Sequence, residues 1–170
     1  MTVQELKSAF ESAYGKAADA VYFSPGRVNL IGEHTDYNGG SVFPCALSFG
    51  TYLLLAKNDK KVLNFKSLNQ PELISLGFDQ LTTRLEKSWA NYPLGVIAQF
   101  VKRGIKITQG YDLLIWGNVP NGAGLSSSAA LEVVTAFAFN DQLGTGFNRT
   151  ELRRCGGVQE GEQQACIALH

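Results

Sequence analysis

Val119-Pro120-Asn121-Gly122-Ala123-Gly124-Leu125-Ser126-Ser127-Ser128-Ala129-Ala130-Leu131-Glu132 is the stretch that decides how this chain folds. Before it, residues 111–116 read as a strand that leads into Gly117-Asn118. After it, Leu131, Val134 and Ala138 fall on one face of a helix predicted over about 127–143. Between strand and helix, Gly122 and Gly124 let the backbone approach a ligand closely and adopt unusual dihedrals. Ser126, Ser127 and Ser128 then open the helix, whose unpaired N–H groups and positive dipole end attract anionic oxygens. Capping a helix takes one serine, not three. Strand, glycine turn, serine cluster and helix together read as an anion cradle built from Gly122, Ala123, Gly124, Leu125, Ser126, Ser127 and Ser128. It is not a Walker loop, because no Gly-Lys-Ser/Thr ends it.

Outward from this stretch the chain is strand-rich first and helix-rich later. Val3, Leu6 and Phe10 give the start an amphipathic helical spacing, and the charged residues among them exclude a signal peptide. Residues 20–23 read as a short strand stopped by Ser24-Pro25-Gly26. Residues 41–56 read as β broken by Pro44 and Gly50, and 61–65 and 73–78 as further strands. Trp89, Tyr92, Val96 and Phe100 predict a helix over 88–103. Residues 149–170 have helical composition, weakened by Gly156, Gly157 and Gly161. The order implies an α+β layer architecture, a mixed sheet with helices.

At 170 residues the chain suits one domain, and 45% hydrophobic content argues against disorder. Fifteen Lys and Arg balance fifteen Asp and Glu, so the basic surface of a nucleic-acid binder is missing and no nucleic-acid partner is expected. No run approaches the roughly 20 apolar residues of a membrane span. Cys45, Cys155 and Cys166 have no paired spacing and read as free or buried thiols of a reducing, cytoplasmic compartment.

A second motif lies nearer the start: Ser24-Pro-Gly-Arg-Val-Asn-Leu-Ile-Gly-Glu-His-Thr-Asp-Tyr-Asn-Gly-Gly40. It packs Arg27, Glu33, His34, Asp36 and Asn38 into a short glycine-bounded segment. Carboxylates beside a histidine and a hydroxyl supply both donors and acceptors, which a sugar's hydroxyls require. An arginine offsets charge on a transferring phosphoryl group. Any one of these residues alone reads better as a loop hydrogen-bonder; their density favours a site.

The run from Gly26 to Tyr37 resembles the galactokinase signature, and 119–129 resembles the phosphate-loop motif of the wider GHMP kinases. The two occur in that family's order, and Trp89-Ala-Asn-Tyr92 and Gly117-Asn-Val-Pro120 are smaller matches. The resemblance spans about 21–143. It implies the N-terminal GHMP-kinase fold (ribosomal protein S5 domain 2-like) and ATP-dependent phosphorylation of the anomeric hydroxyl of α-D-galactose with Mg²⁺. By the same resemblance, Arg27 stabilises the transition state, and Glu33, His34, Thr35 and Asp36 bind galactose. Residues 122–128 hold the ATP phosphates, and Ser128 ligates Mg²⁺.

The resemblance also has edges. Gln159-Glu-Gly-Glu162 aligns to a family Gln-x-x-Glu-Asn helix, which makes Glu162 a second Mg²⁺ ligand, although Gln163 replaces the usual Asn. The family's Gly-Ile-Met-Asp-Gln motif, whose Asp is the catalytic base, is not found in the sequence, nor is the second domain that closes the cleft and would pack on this one. The expectation is therefore one N-terminal domain over 1–170, cut before the base and very weak as a kinase by itself. A non-catalytic galactose- and ATP-binding sensor and an inactive fragment are the alternatives.

Overall fold

The computed structural model describes residues 1–31, 41, 43–118, 127–155 and 167–169. Its elements, in chain order, are α1 (Val3–Tyr14), β1 (Ala20–Ile31), β2 (Phe43–Asn58), β3 (Val62–Ser67), β4 (Leu73–Gly77), α2 (Asn91–Lys102), β5 (Gly110–Gly117), α3 (Ser127–Leu143), α4 (Arg149–Cys155) and β6 (Ile167–Leu169). Six strands form one sheet in the order β4-β3-β5-β2-β1-β6. The β3–β5 pair is parallel and the other four pairings are antiparallel, so the sheet is mixed as expected.

Both faces of the sheet are covered, which explains why its central strands are apolar without alternation. Leu53, Leu55, Leu113 and Ile115 face a core shared with Val96, Ile97 and Phe100 of α2 and Val134, Ala138 and Phe139 of α3. Leu54, Ala56 and Leu114 face the opposite side, where Leu6 and Phe10 of α1 cover them. Leu6 and Phe10 are fully buried, each worth about 1.5–3 kcal/mol. Thr2 and Glu5 close a reciprocal capping box at the start of α1, and Gly15 ends it in the left-handed region at φ 70°.

Four expectations need correction. The first strand is not stopped at Ser24-Pro25-Gly26; β1 runs on to Ile31. Pro25 pairs opposite Gly50, whose N–H and C=O both bond Asn118 on the β5 side, so the missing proline N–H costs no bond between β1 and β2. Nor do Pro44 and Gly50 break β2, which is continuous. A Cβ at Gly50 would run into the Ser24 carbonyl oxygen and the Phe23 ring, so this glycine marks the close approach of β1 rather than a turn. The helix expected from 88 begins at Asn91. There the Asn91 amide accepts from Leu85 N–H and donates to Leu85 C=O, both at 2.8 Å, which shapes the preceding segment as a turn. Finally, 167–169 is a strand paired with β1, because satisfying an open sheet edge outweighs local helical composition. Cys45 and Cys155 are free thiols, the first exposed and the second buried; Cys166 lies outside the described residues.

Candidate functional site

The sheet register brings the two sequence motifs to one end of the molecule. β1 and β5 are both antiparallel to β2, so they run in the same direction. Ser24, Thr51 and Gly117 lie abreast across β1, β2 and β5. Beyond this row β1 continues through Arg27, while β5 gives way to 118 and the glycine-serine stretch. α3 then returns across the same face, packed on β1 and β2.

Arg27 follows the register shift in the β1–β2 pairing, where the surplus residues lie on β2, and is 8% exposed. Two further polar side chains of β1 share this segment. The Ser24 hydroxyl is fully buried, and neither it nor the buried Asn29 Oδ1 has a hydrogen-bond partner among the described residues. Buried polar atoms are nearly always paired, so such groups mark a place where polar chemistry is expected.

Ser127 and Ser128 are the first two residues of α3 and are exposed. They line an open cleft of about 150 Å³ together with Thr51, Ser67, Asn69, Gln70, Trp89 and Tyr92. The indole Nε1 of Trp89 is buried and has no hydrogen-bond partner among the described residues. The cleft thus joins a helix N-terminus and hydroxyl donors to two aromatic side chains. It can take an anionic group at one side and a flat, hydrogen-bonding group at the other.

Of the residues singled out from sequence, Arg27, Ser127 and Ser128 are thus placed at this end of the sheet. Glu33, His34, Thr35, Asp36, Gly122, Ala123, Gly124, Leu125, Ser126 and Glu162 lie outside the described residues. Among the described residues no group of three or more His, Cys, Asp or Glu is gathered to hold a metal, and no helix is long and apolar enough to cross a membrane. Sequence reasoning missed the contribution of Thr51, Ser67, Asn69 and Gln70. They look like strand and turn residues, and only the sheet register carries them to α3. Trp89 and Tyr92 read as a helix face, but they reach the cleft because the helix starts late.

Comparison with known proteins gives consistent findings. A galactokinase galactose-binding signature matches residues 8–57, and the GHMP kinases N terminal domain matches 91–168. The chain is 49% identical over 164 residues to a galactokinase of Clostridium beijerinckii, covering 95% of this chain and 42% of that protein. Its fold superposes on Lactococcus lactis galactokinase, solved in complex with galactose, with a TM-score of 0.86 and 36% identity, covering 92% of this chain and 41% of that one. Methanococcus jannaschii mevalonate kinase shares the fold at a TM-score of 0.71 and 18% identity, over 80% of this chain and 44% of that one. The chain therefore spans about two-fifths of the length of the galactokinases it matches.

Proposed function

This chain belongs to the galactokinase family, as the N-terminal region of such an enzyme, and from that premise we propose that it supplies the sugar- and phosphate-binding half of a galactokinase. The reaction is transfer of the ATP γ-phosphoryl group to the anomeric hydroxyl of α-D-galactose, giving galactose 1-phosphate. The observation that carries the proposal is the convergence of two matched regions on one end of the sheet. Arg27 belongs to the galactose-binding signature and α3 to the GHMP domain.

The residues present fit ATP and Mg²⁺. A helix N-terminus with exposed serines suits phosphate oxygens, and the orphaned Trp89 N–H beside Tyr92 suits a nitrogenous ring. The Ser128 hydroxyl and the Glu162 carboxylate are oxygen donors of the kind a hard divalent cation takes. When bound, ATP supplies the phosphoryl group and Mg²⁺ offsets its charge. In this reading Gly122 to Ser128 hold the phosphates, and Ser128 and Glu162 hold the metal. Glu33, His34, Thr35 and Asp36 grip the galactose hydroxyls and fix which of them faces the phosphate. The Arg27 guanidinium, held on a packed strand, balances the negative charge that spreads over the transferring group. A cytoplasmic location follows from the use of ATP, and the second galactokinase domain is the packing partner that closes the cleft.

No Gly-Ile-Met-Asp-Gln run occurs in these 170 residues. A positioned general base is worth about 10²–10⁴-fold, so the 170 residues by themselves turn over far below the about 1–100 s⁻¹ of ordinary kinases. The test combines titration of galactose and of Mg·ATP onto the 170-residue chain with a galactose-dependent ADP-release assay. Binding of both ligands with very slow release is expected. Binding of neither would overturn the proposal, and release at ordinary kinase rates would show that another residue serves as base.

A further inference from the structure

Gly117 and Asn118 are the last described residues before the glycine-serine stretch, and they are gripped from both sides. On one side Asn69 acts as a surrogate strand. Its Nδ2 donates to the Gly117 carbonyl at 2.9 Å, and its Oδ1 accepts from the Gly117 N–H at 2.8 Å. This continues the parallel β3–β5 ladder, which ends at the Ser67–Ile115 pair and the Leu68 N–H to Ile115 C=O bond of 2.9 Å. Asn69 is itself fixed, because its backbone N–H donates to the Ser67 hydroxyl at 3.1 Å. On the other side the Asn118 N–H donates to the Gly50 carbonyl at 3.1 Å, and Asn118 Oδ1 accepts from the Gly50 N–H at 2.8 Å.

A side-chain amide carries a donor and an acceptor at the spacing of a peptide group, so Asn69 holds Gly117 as a strand would without extending β3 into the cleft. The glycine-serine stretch therefore has one fixed end at 117–118 and another at the first turn of α3. A fixed point of departure next to a binding site lowers the cost of holding a ligand in one geometry. Asn69 also lines the same cleft as Ser127 and Ser128, yet it is exposed and contributes little to the core.

We propose that Asn69 is a positioning residue for nucleotide binding: its paired hydrogen bonds to Gly117 set the point from which the phosphate-holding stretch departs. The proposal rests on the reading of that stretch given above. It assigns Asn69 no contact with the reacting atoms.

The experiment compares the wild-type chain with Asn69→Ala and with Asn69→Leu, which keeps the bulk and loses both bonds. Mg·ATP and galactose are titrated separately by calorimetry, and exchange of the Gly117 amide proton is followed by NMR. Both variants are expected to bind Mg·ATP at least fivefold more weakly, to bind galactose within twofold of wild type, and to exchange the Gly117 amide faster. Loss of both ligands in equal measure would overturn the proposal, as would recovery in Asn69→Leu. So would unchanged Mg·ATP affinity despite faster exchange at Gly117. Wild-type chain that takes no Mg·ATP would overturn the functional reading itself, an outcome separate from any difference among the variants.

Discussion

The Tyr22 hydroxyl donates a 2.6 Å hydrogen bond to Asp141 and accepts one of 2.8 Å from Gln142, tying the start of β1 to the last turn of α3. Tyr22 is 1% exposed, so the hydroxyl has no water to turn to. The bond moors the far end of the helix whose first turn carries Ser127 and Ser128. Tyr22→Phe should lower stability by about 0.5–1.5 kcal/mol, the net worth of a hydrogen bond, since the Asp141 carboxylate is exposed. Urea denaturation checks this, and a change below the lower bound would mean that water replaces the hydroxyl.

Asp112, on β5, gathers three polar partners. Lys16 reaches one carboxylate oxygen at 2.7 Å, and the amides of Asn58 and Asn64 reach the other at 2.9 and 2.6 Å. Gln109 braces the surrounding backbone by donating to the Asn58 carbonyl at 2.7 Å. Burial pushes the carboxyl upward, but the hydrogen bonds from Lys16, Asn64 and Asn58 outweigh it and hold Asp112 below its ordinary value of 3.8. The unfolded chain then takes up this proton at a higher pH than the folded one. The stabilisation is present above about pH 4 and is lost as the pH falls through the folded value. Stability measured between pH 6 and pH 2.5 should drop at the acid end, and Asp112→Asn should flatten part of that drop while costing about 1–3 kcal/mol at neutral pH.

Gly50→Ala is expected to cost at least about 1–3 kcal/mol, because the new methyl meets the backbone oxygen of Ser24 as well as the Phe23 ring. A side chain can swing aside; a paired strand cannot. Gly95→Ala is the matched control, since nothing stands within 4 Å of its Cβ position and a helix favours alanine by up to about 1 kcal/mol. Thermal melts of the two variants should move in opposite directions.

The proposed ligand roles separate under substitution. Ser128→Ala should weaken Mg·ATP binding about tenfold and leave galactose affinity unchanged, whereas Asp36→Ala should do the reverse. Paired titrations on each variant check this. Equal effects on galactose affinity would show that the two subsites are misassigned.

The sequence was most legible where one physical signal dominated. The spacing of Leu131, Val134 and Ala138 located α3, and Leu6 with Phe10 located the buried face of α1, because amphipathic periodicity is a local property. It misled where a glycine or proline served a neighbour rather than a turn. Pro25 sits opposite Gly50 at a position that needs no ladder bond, and Gly50 lies hard against the β1 backbone; neither fact is written within four residues of its position. The cleft was only half legible. Ser127 and Ser128 announced themselves by clustering, while Asn69 and Thr51 arrive through strand pairing across long sequence separations. The tie between Tyr22 and Asp141 was equally hidden, being a contact between residues 119 apart.

The strand order β4-β3-β5-β2-β1-β6 has a consequence for how the chain is made. β5 sits between β3 and β2, yet a ribosome delivers it after both. Until Gly117 emerges, the β1–β2 pair and the β3–β4 pair are two separate hairpins, each with apolar faces open to water. At about 5–20 residues per second, the interval from the end of β2 to the end of β5 lasts about 3–12 s. During that time the nascent chain is a client for whatever shields sticky surfaces at the tunnel exit, and it becomes self-sufficient only when its central strand slots home.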